Sequence, residues 1–545
     1  MTSRVRNVAV DLTPVLPGGE NGGAKVFVLE LIRGMAELYP ECTLTLLVRE
    51  ESKNELMMLE RQNVRLRSLD LASSVEDPSE ICHSPSKIRR ILRRVWGGIK
   101  RRMALKPLAS PSLSFGSGGQ SLLKSMGAEL LFCPFTDPTY YEPGIPAVCT
   151  IYDLQYKTYP QFFSSADVYH RNQAFLRAAE KATLLAAISD YSRNSAMQHG
   201  GIPKDRIETV HIRLAERVKH LAPLECLQQW NLSPQNFLIY PANFWAHKNH
   251  EVLLTAMGLA LRKGLPKSVK LVLTGAPGER RDFLKRAVER MGLADSIIFP
   301  GYVSTPELGT LIANSLGMVF PSLYEGFGMP VIEAMAMGVP VACSHLTSLP
   351  EVAGDAAILF DPRVPDSLVT AMISLASHQA QRETLISRGR ERATVFSDHL
   401  KMAREYMTLF ERALDTHTPH WQMVGRYEDG WLGPHLWIQS EAGQSGRELE
   451  LNFSTECWMP EGSVQLALWI DGTHRKTWKM EQGREQCISV PLDQKAELLE
   501  WRFLPVYVPS VQGLGTDERQ LSLMLKGCHL KDHAGAEMNL FEVFG

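Results

Sequence analysis

The feature that most constrains the fold is a repeated alternation of short apolar runs with helical patterns between residue 5 and about residue 415. The first apolar run, VRNVAVDL, precedes the helical pattern AKVFVLELIRGMAELYP and is followed by TLTLLV. Later apolar runs are ELLFCP, AVCTIYDL, LLAAIS, NFLIYPA, SVKLVLTG, SIIFPGYV, GMVFPS, PVACSH and AAILF. Continuous apolar strands between helices are typical of parallel sheets buried on both faces. A second series begins after about residue 216. The sequence therefore predicts two doubly wound α/β domains with a ligand crevice at the carboxyl ends of their strands.

The pattern changes after about Pro419, where apolar and polar residues alternate with no helical segment between them. Leu449, Leu451 and Phe453 show this period of two, which together with turn signals predicts an antiparallel β-sandwich. The predicted domains are an N-terminal Rossmann-like domain (1–215), a second Rossmann-like domain (216–395), a helix crossing back to the first domain (396–415) and the sandwich (420–545).

The sandwich opens with the segment YEDGWLGPHLWI, which contains Trp431 and Trp437. Indole rings of this kind stack on sugars, and sandwiches commonly bind glycans or proteins. Aromatic residues in a strand pattern, however, more often belong to the core. We therefore expect both tryptophans to lie in the core of the sandwich.

Composition excludes several classes of protein. The chain has 545 residues, 44% of them hydrophobic and 22% charged, which indicates a globular protein of two or three domains. The net charge of -2 gives no basic field that would attract nucleic acid. We see no signal-peptide core and no apolar run of the roughly 18 residues that a spanning helix needs, so we expect a cytoplasmic protein. Nine cysteines without a CxxC pair indicate reduced thiols rather than a metal site.

One segment, at about residues 85–107, interrupts the α/β pattern. The sequence SKIRRILRRVWGGIKRRMALK places apolar residues at helical spacing and fills the remaining positions between Arg89 and Arg102 mostly with arginine and lysine. A basic amphipathic helix with a tryptophan suits an anionic membrane surface. The alternative is an ordinary helix that packs its apolar stripe on the domain and exposes its arginines to solvent. The pair Gly97-Gly98 weakens a single long helix.

The stretch FPSLYEGFGMPVIEAMAMGVPVACS, from Phe320 to Ser344, combines a strand, a glycine loop and a helix. Pro330 suits the first turn of that helix, and Gly338 and Pro340 end it. The backbone amides of Gly326, Phe327 and Gly328 stand at the amino end of the helix, where the helix dipole favours an anion.

Two glutamates flank this predicted anion site. Glu325 lies in the loop, where its carboxylate can accept hydrogen bonds from two hydroxyls, and Glu333 lies on the helix, where it can accept from a second diol. A diphosphate between two polyhydroxyl groups is a nucleotide sugar. The alternative is that Glu333 is simply a good helix residue and Glu325 a solvated loop acid, but the ordered set favours a nucleotide-sugar site.

This stretch resembles the glutamate-x7-glutamate motif of the retaining glycosyltransferases of the GT-B fold, specifically family 4. Further resemblance lies in YPANFWAHKNHEVLL (Tyr240–Leu254), LVLTGAPG, FPGYVS, GGENGGAKVFV, IYDLQY, AISDYSRNS and FSDHLKMAREYMTLFERAL. It covers roughly residues 5–415. The resemblance implies two Rossmann-like domains facing each other across a cleft, and it is specific for the class of enzyme but not for the sugar.

The resemblance also implies roles for individual residues. Glu325, Lys248 and Asp153 are the expected catalytic residues, and Tyr152 and Lys25 are expected to contact the acceptor. The expected donor-binding residues are Gly22, Gly23, Asn243, His247, Lys248, Gly275, Glu325, Gly326, Phe327, Gly328 and Glu333. No metal is expected, because the amides and Lys248 would stabilise the departing diphosphate and no Asp-x-Asp motif stands in a suitable loop.

Three departures from the family pattern are visible. The usual arginine before the lysine is absent; Asn243 lies near that place and His247 directly precedes Lys248. Tyr152 stands where the family has a histidine, and a neutral phenol cannot act as a base near neutral pH. The stretch VHIRLAER replaces the usual Pro-Asn-Gly-Val-Asp at the end of the first domain.

The sequence therefore predicts a retaining glycosyltransferase that moves a hexose to a growing glycan or a lipid-linked acceptor in bacterial surface polysaccharide assembly. The expected donor is GDP-mannose, with a UDP-hexose or UDP-HexNAc close behind, and the expected place is the inner face of the cytoplasmic membrane, reached through Arg89–Arg102. Two alternatives stay open: a phosphorylase or epimerase of the same fold, and a carbohydrate-binding or scaffold protein without activity.

Overall fold

The computed structural model describes residues 3–18, 22–69, 122–142, 144–416, 422–427, 429–439, 447–455, 464–470, 472–492, 498–504, 509, 519, 521–531 and 537–540. The basic segment predicted at about 85–107 lies outside these residues. The described chain forms two parallel sheets followed by two antiparallel sheets. Among the described helices, none combines the length and the apolar character needed to cross a membrane.

The first sheet has seven parallel strands in the order β3-β2-β1-β4-β5-β6-β7. All residues of β4 and β5 are buried, as expected for a sheet covered on both faces. The strands are β1 Asn7–Asp11, β2 Thr43–Val48, β3 Val64–Ser68, β4 Leu130–Cys133, β5 Ala147–Ile151, β6 Leu184–Ala187 and β7 Ile207–Thr209. The helices are α1 Gly22–Leu38, α2 Glu50–Leu56, α3 Leu122–Ser125, α4 Gln155–Thr158, α5 Ser165–Lys181 and α6 Asp190–Gly200, with 3-10 turns at Met57–Leu59, Pro160–Phe162 and Lys204–Arg206.

The second sheet has six parallel strands in the order β10-β9-β8-β11-β12-β13. The strand order reverses between β8 and β11, so a crevice opens at their carboxyl ends. The strands are β8 Phe237–Pro241, β9 Lys270–Thr274, β10 Ile297–Gly301, β11 Gly317–Phe320, β12 Val341–Ser344 and β13 Ala357–Phe360. The helices are α7 His250–Arg262, α8 Glu279–Arg290, α9 Thr305–Ala313, α10 Met329–Ala336, α11 Leu349–Ala353, α12 Pro365–Ser377 and α13 Gln379–Thr394, with 3-10 turns at Leu224–Trp230 and Ala246–Lys248.

Helix α14, His399–Thr416, returns from the second sheet to the first. It packs on α1 and on β5 and β6. Its Tyr406 hydroxyl lies 3.1 Å from the Thr150 hydroxyl, and its Phe410 ring lies 5.1 Å from the ring of Phe132. The hydrophobic core of the first α/β unit is therefore completed by the last helix of the α/β region.

The C-terminal region is a sandwich of two antiparallel sheets, in the orders β14-β15-β20-β17-β18 and β19-β16-β21-β22. Leu449, Leu451 and Phe453 are fully buried between them, together with Trp501. The strands are β14 Gln422–Arg426, β15 Leu432–Gln439, β16 Arg447–Ser454, β17 Gln465–Ile470, β18 Thr473–Lys479, β19 Glu485–Leu492, β20 Leu498–Leu504, β21 Met524–Lys531 and β22 Glu537–Asn539. The predicted fold class, two Rossmann-like domains and an antiparallel sandwich, is confirmed.

One expectation about the sandwich is wrong. Trp431 packs against the core, but Trp437 lies on the outer face of the five-stranded sheet, where it pairs with Glu500. The physical reason is the strand period: the neighbours of Trp437, Leu436 and Ile438, are fully buried, so the side chain between them must point the other way.

Candidate active site

The loop that follows β11 of the second sheet meets the loops that follow β5 and β6 of the first sheet. The Ser189 hydroxyl donates a hydrogen bond to the carbonyl oxygen of Gly326 at 2.7 Å. A Cβ atom on Gly326 would stand 2.3 Å from the carbonyl oxygen of Tyr152, closer than any side chain tolerates. Glycine is therefore required here because the two backbones approach each other, and this contact closes one end of the cleft between the two sheets.

Lys248 and Glu325 form an ion pair at the carboxyl ends of β8 and β11. Lys248 Nζ lies 2.6 Å from Glu325 Oε1, and the two side chains are 13% and 11% exposed. The next residue, Asn249, takes a left-handed φ of 60°, and its side-chain amide donates to the carbonyl oxygens of Pro321 and Pro362. That amide fixes the Lys248 loop to the loop that carries Glu325. The structure thus brings together two predicted catalytic residues that are 77 positions apart in the chain.

The amino end of α10 carries unpaired backbone amides. No described residue accepts a hydrogen bond from the amides of Gly326, Phe327 or Gly328. The Ser348 hydroxyl holds this loop in place, because it lies 2.9 Å from the carbonyl oxygen of Glu325 and 3.1 Å from the carbonyl oxygen of Phe327. Unpaired amides at a helix start attract an anion. Together with Lys248 they form a site suited to a phosphate group.

Glu333 has a different environment from Glu325. Its side chain is 1% exposed, and its Oε1 accepts a hydrogen bond from Arg217 Nε at 2.7 Å. Its second oxygen, Oε2, has no partner among the described residues. The predicted contact of Glu333 with a ligand diol stays a prediction, and only Oε2 is free to make it. Sequence reasoning missed Arg217, which lies in the VHIRLAER stretch and gave no local signal.

The first domain contributes Tyr152 and Asp153 through the loop after β5. The Tyr152 hydroxyl is buried without a partner among the described residues, and burial raises the pKa of this phenol well above its usual value. Burial also raises the pKa of Asp153, and the charge of Glu325 raises it further. One Asp153 oxygen accepts from the amide of Gln155 at 3.1 Å. The Tyr152 ring packs on Phe27 and Phe135 with its hydroxyl enclosed, so the predicted contact of Tyr152 with an acceptor stays a prediction.

The glycine loop of the first domain lies opposite the start of α10. A Cβ atom on Gly23 would stand 2.4 Å from the Met329 methyl group, and Gly22, with φ 54°, lies near the Trp245 ring. The structure therefore brings these two predicted donor-binding glycines to the second domain.

Lys25 has an internal role in this loop. Its ammonium donates to the carbonyl oxygens of Leu16 and Gly18, at 3.0 and 2.9 Å, and to Glu55 at 2.7 Å. These contacts use all three donors of an ammonium group. Lys25 thus holds the glycine loop in place, and its predicted contact with an acceptor stays a prediction.

A pocket of about 490 Å³ opens beside the loop that carries Lys248. Trp245 and Tyr302 line it and are 49% and 75% exposed. The other lining residues are Asn243, Phe244, Ala276, Pro277, Gly278, Glu279, Arg280 and Arg281. Asn243 Oδ1 accepts from the Ala276 amide at 3.1 Å and joins the loops after β8 and β9. Aromatic walls and one open side suit a planar group such as a nucleoside base.

Two imidazoles beside this pocket are neutral. Burial, followed by the charge of Lys248, lowers the pKa of His247 to about 4 and that of His250 to about 3. The positive charge of this region at neutral pH therefore resides on Lys248 and on Arg280 and Arg281, two pocket residues that sequence reasoning missed. Gly275, a predicted donor-binding residue, is required because a Cβ atom there would stand 2.7 Å from the Ala242 carbonyl oxygen.

Glu351 on α11 joins the second domain to the first. Its carboxylate accepts from the amides of Asp190 and Tyr191, at 2.7 and 3.0 Å, and lies 2.7 Å from His211 Nε2. Burial acts to raise the pKa of Glu351, but these hydrogen bonds outweigh it and lower the pKa. Asp190, His211 and Glu351 also bring potential metal-ligating atoms within 4.8 Å of one another. The Glu351 oxygens already accept hydrogen bonds from the backbone amides at the amino end of α6, so this cluster links the second domain to the first.

The chain is similar in sequence to known glycosyltransferases. Residues 227–392 match the family model described as glycosyl transferases group 1. O-antigen chain mannosyltransferase B of Escherichia coli is 34% identical over 269 residues, which cover 48% of this chain and 69% of that protein. O-antigen chain mannosyltransferase RfbU of Salmonella typhimurium is 30% identical over 128 residues, covering 24% of this chain and 35% of that protein.

Solved structures share the fold at low sequence identity. Sucrose-phosphate synthase from Thermosynechococcus elongatus superposes with a TM-score of 0.56 at 18% identity, over 76% of this chain and all of that one. Anabaena HepE, solved in complex with UDP-glucose, gives 0.54 at 14% identity, over 74% of this chain and 99% of that one. At these identities the likeness establishes the fold alone. The family is shown by the Escherichia coli relative, which is 34% identical and of which 69% is covered. The chain therefore belongs to the group 1 glycosyltransferases and is a glycosyltransferase of the GT-B fold.

Proposed function

We propose that the enzyme transfers a mannosyl residue from a nucleotide-diphosphate donor, in the first place GDP-mannose, to a growing glycan of the O-antigen type. The relatives named as O-antigen mannosyltransferases support the sugar and the class of acceptor. The donor type is supported by the site itself, because a helix start suited to a phosphate lies beside a carboxylate.

The observation that carries this proposal is the Lys248–Glu325 pair at the unpaired amides of α10. An ammonium and three amides suit the diphosphate, and a carboxylate next to them suits the hydroxyls of the attached sugar. The aromatic pocket around Trp245 and Tyr302 continues from the same loops and suits the nucleoside. One ligand that satisfies all three parts is a nucleotide sugar.

The proposed chemistry exchanges one bond at the anomeric carbon. The bond from that carbon to the diphosphate oxygen breaks, and a bond to the acceptor oxygen forms on the same face, so the configuration is retained. The departing diphosphate takes the acceptor proton. Negative charge therefore grows on the leaving oxygen, where Lys248 and the amides of Gly326 to Gly328 stabilise it. Glu325 holds the sugar hydroxyls, and Asp153 is the proposed contact on the acceptor side.

A thermal-shift and transfer experiment tests the proposal. The full chain is heated with GDP-mannose, UDP-glucose, UDP-GlcNAc or ADP-glucose, because a ligand bound only to the native protein raises the apparent stability. We expect the largest shift with GDP-mannose, and transfer to a mannoside acceptor with an α product seen by NMR. Stabilisation by a UDP-sugar alone would contradict the choice of donor.

The same preparation tests two further expectations. Transfer should continue in EDTA, since no metal is proposed at the site. Consumption of donor without any acceptor would favour a phosphorylase or an epimerase of the same fold, and donor binding without turnover would favour a scaffold.

Location is a separate proposal. We infer that the enzyme works at the cytoplasmic face of the inner membrane, because the sequence between Arg89 and Arg102 is basic and amphipathic. Wild-type protein should sediment with anionic vesicles at low salt, and replacing the arginines there by Ser should release it. No sedimentation of the wild type would contradict this location.

A further inference from the structure

The outer face of the five-stranded sheet of the sandwich carries a continuous row of aromatic and planar polar side chains across four strands. Trp437 and His435 come from β15, Glu500 and Arg502 from β20, and Trp469 from β17. His474 of β18 ends the row, with its ring 4.9 Å from that of Trp469. Four adjacent strands span about 14 Å, because strands lie about 4.8 Å apart.

The members of this row hold one another in fixed orientations. The His435 ring is stacked on the Trp437 ring at 5.1 Å with an angle of 5° between the planes. Arg502 donates two hydrogen bonds to Glu500, at 2.8 and 3.0 Å, and its guanidinium lies 4.2 Å from the centre of the Trp469 ring. His435 Nδ1 is 3.3 Å from the same Glu500 carboxylate.

The row is accessible and is not needed for the core. The core beneath it is filled by residues such as Leu436, Ile438 and Trp501, all fully buried. Arg502 and His435, by contrast, keep 43% and 38% of their side-chain surface exposed. Cross-strand pairs of this kind stabilise a sheet only modestly, by roughly 0.2–1 kcal/mol each. Two half-buried indoles on an outer face therefore call for another explanation than packing.

We propose that this face, the outer-sheet row, binds a glycan chain, the class of molecule that the catalytic domains extend. The choice of a glycan rests on the proposed function. His435 covers one face of Trp437 and Arg502 one face of Trp469; the partly exposed remainder of each indole offers a flat apolar surface for the C–H face of a pyranose. Arg502 and Glu500 offer a donor and an ionised acceptor for vicinal hydroxyls. A row of about 14 Å is long enough for a short run of sugars. The sandwich thereby retains the polymer near the site that lengthens it.

The experiment uses the full chain and a soluble α-mannan as the probe. Affinity electrophoresis through gels with and without mannan compares the wild type, a W437A/W469A double variant and a W437F/W469F double variant. Truncation of anchoring tryptophans commonly weakens recognition by about tenfold or more. We expect the apparent affinity for mannan to fall about tenfold in the Ala variant, and the Phe variant to keep most of the wild-type affinity.

Controls separate this face from the catalytic cleft and from folding. Lys531→Ala on the other sheet of the sandwich, where Lys531 pairs with Glu450 at 2.6 Å, should be retarded like the wild type. All variants should bind GDP and extend a disaccharide acceptor at the wild-type rate, while the Ala variant should show a raised KM for long acceptors only.

Three outcomes would overturn the inference. Equal retardation of the wild type and the Ala variant would do so, as would a wild type that mannan does not retard. A change in oligomeric state or melting temperature in the Ala variant alone would show that the row contacts protein instead. If the wild type binds mannan but neither binds nor uses a nucleotide sugar, the proposed function fails while the glycan-binding face stands.

Discussion

Replacing Glu325 by Gln is expected to separate two properties of the site, because binding of nucleoside diphosphate should improve while sugar transfer is lost. In the wild type the Lys248 ammonium is already paired with Glu325 at 2.6 Å. An incoming diphosphate must share this cation and must also stand beside the carboxylate. The E325Q side chain keeps the shape of the site and removes that negative charge.

The structure sets the size of the effect. A phosphate oxygen that accepts from Lys248 at about 2.8 Å stands about 5 Å from Glu325 Oε1, given the 2.6 Å pair. At an effective dielectric constant of about 20, two unit charges at that distance repel by about 3 kcal/mol. The side chains of Lys248 and Glu325 remain 13% and 11% exposed, and this exposure and the salt both weaken the repulsion. We therefore expect removal of the charge to gain about half of this energy, which corresponds to roughly tenfold tighter binding of GDP.

Calorimetry with GDP, without attached sugar, measures the first property, and transfer from GDP-mannose measures the second. Transfer should fall at least about a hundredfold, as when one contact of the transition state is removed. Glu216→Gln is the matched control, because Glu216 pairs with Lys219 at 2.9 Å in an ion pair that is exposed on both sides, and such pairs contribute little. Binding of GDP to E325Q that is equal to or weaker than in the wild type would refute the electrostatic argument.

Four further predictions follow from the same geometry. Lys248→Ala should weaken binding of GDP by roughly 1.5–3 kcal/mol while leaving guanosine unaffected, as measured by calorimetry; equal losses for both would indicate a structural lysine. Gly326→Ala should lower the melting temperature and the activity, because its Cβ would stand 2.3 Å from a carbonyl oxygen, whereas Gly258→Ala in α7, with only ordinary contacts, should do neither. Glu351→Gln should lower the melting temperature at pH 7, and the difference from the wild type should shrink progressively as the pH falls below 4.5: the pKa of this carboxyl is lowered from 4.5 in the folded protein, so its contribution is fully present above 4.5 and is lost as the pH falls through the folded pKa; a difference that stays constant as the pH falls would refute it. A chain ending at Asp415 should still bind GDP, and a soluble, folded truncation without binding would show that the sandwich contributes to the donor site.

Much of the fold and part of the site could be predicted from the sequence because the signals are local. Buried parallel strands appear as short apolar runs, and their carboxyl ends meet at one edge of a sheet. Glu325 and Lys248 each follow such a strand, so their proximity follows from the topology. Gly326 lies at a close approach of two backbones, and Gly22 and Gly23 lie next to side chains of the second domain, Trp245 and Met329.

The remainder depends on packing between distant segments, which no local pattern encodes. The partner of Glu333 is Arg217, 116 residues away, and Lys25 turns toward its own loop rather than toward the cleft. Arg280 belongs to no motif that the sequence analysis could recognise. Trp437 is different, since the alternation of Leu436 and Ile438 around it did indicate an outward side chain, and the weight given to its aromatic character led to the wrong expectation.

The position of α14 has a consequence for biosynthesis. Helix α1, which ends at Leu38, packs against α14, which ends at Thr416, so the first α/β unit lacks one of its core helices until nearly the whole catalytic region has been synthesised. At a translation rate of roughly 5–20 residues per second, the 378 intervening residues take about 20–75 s. During that interval the surface that will receive Tyr406 and Phe410, including Phe132 and Phe27, is exposed on the ribosome. The nascent chain is therefore expected to need chaperone protection at its first domain, and release of α14 from the exit tunnel is the event that ends this need.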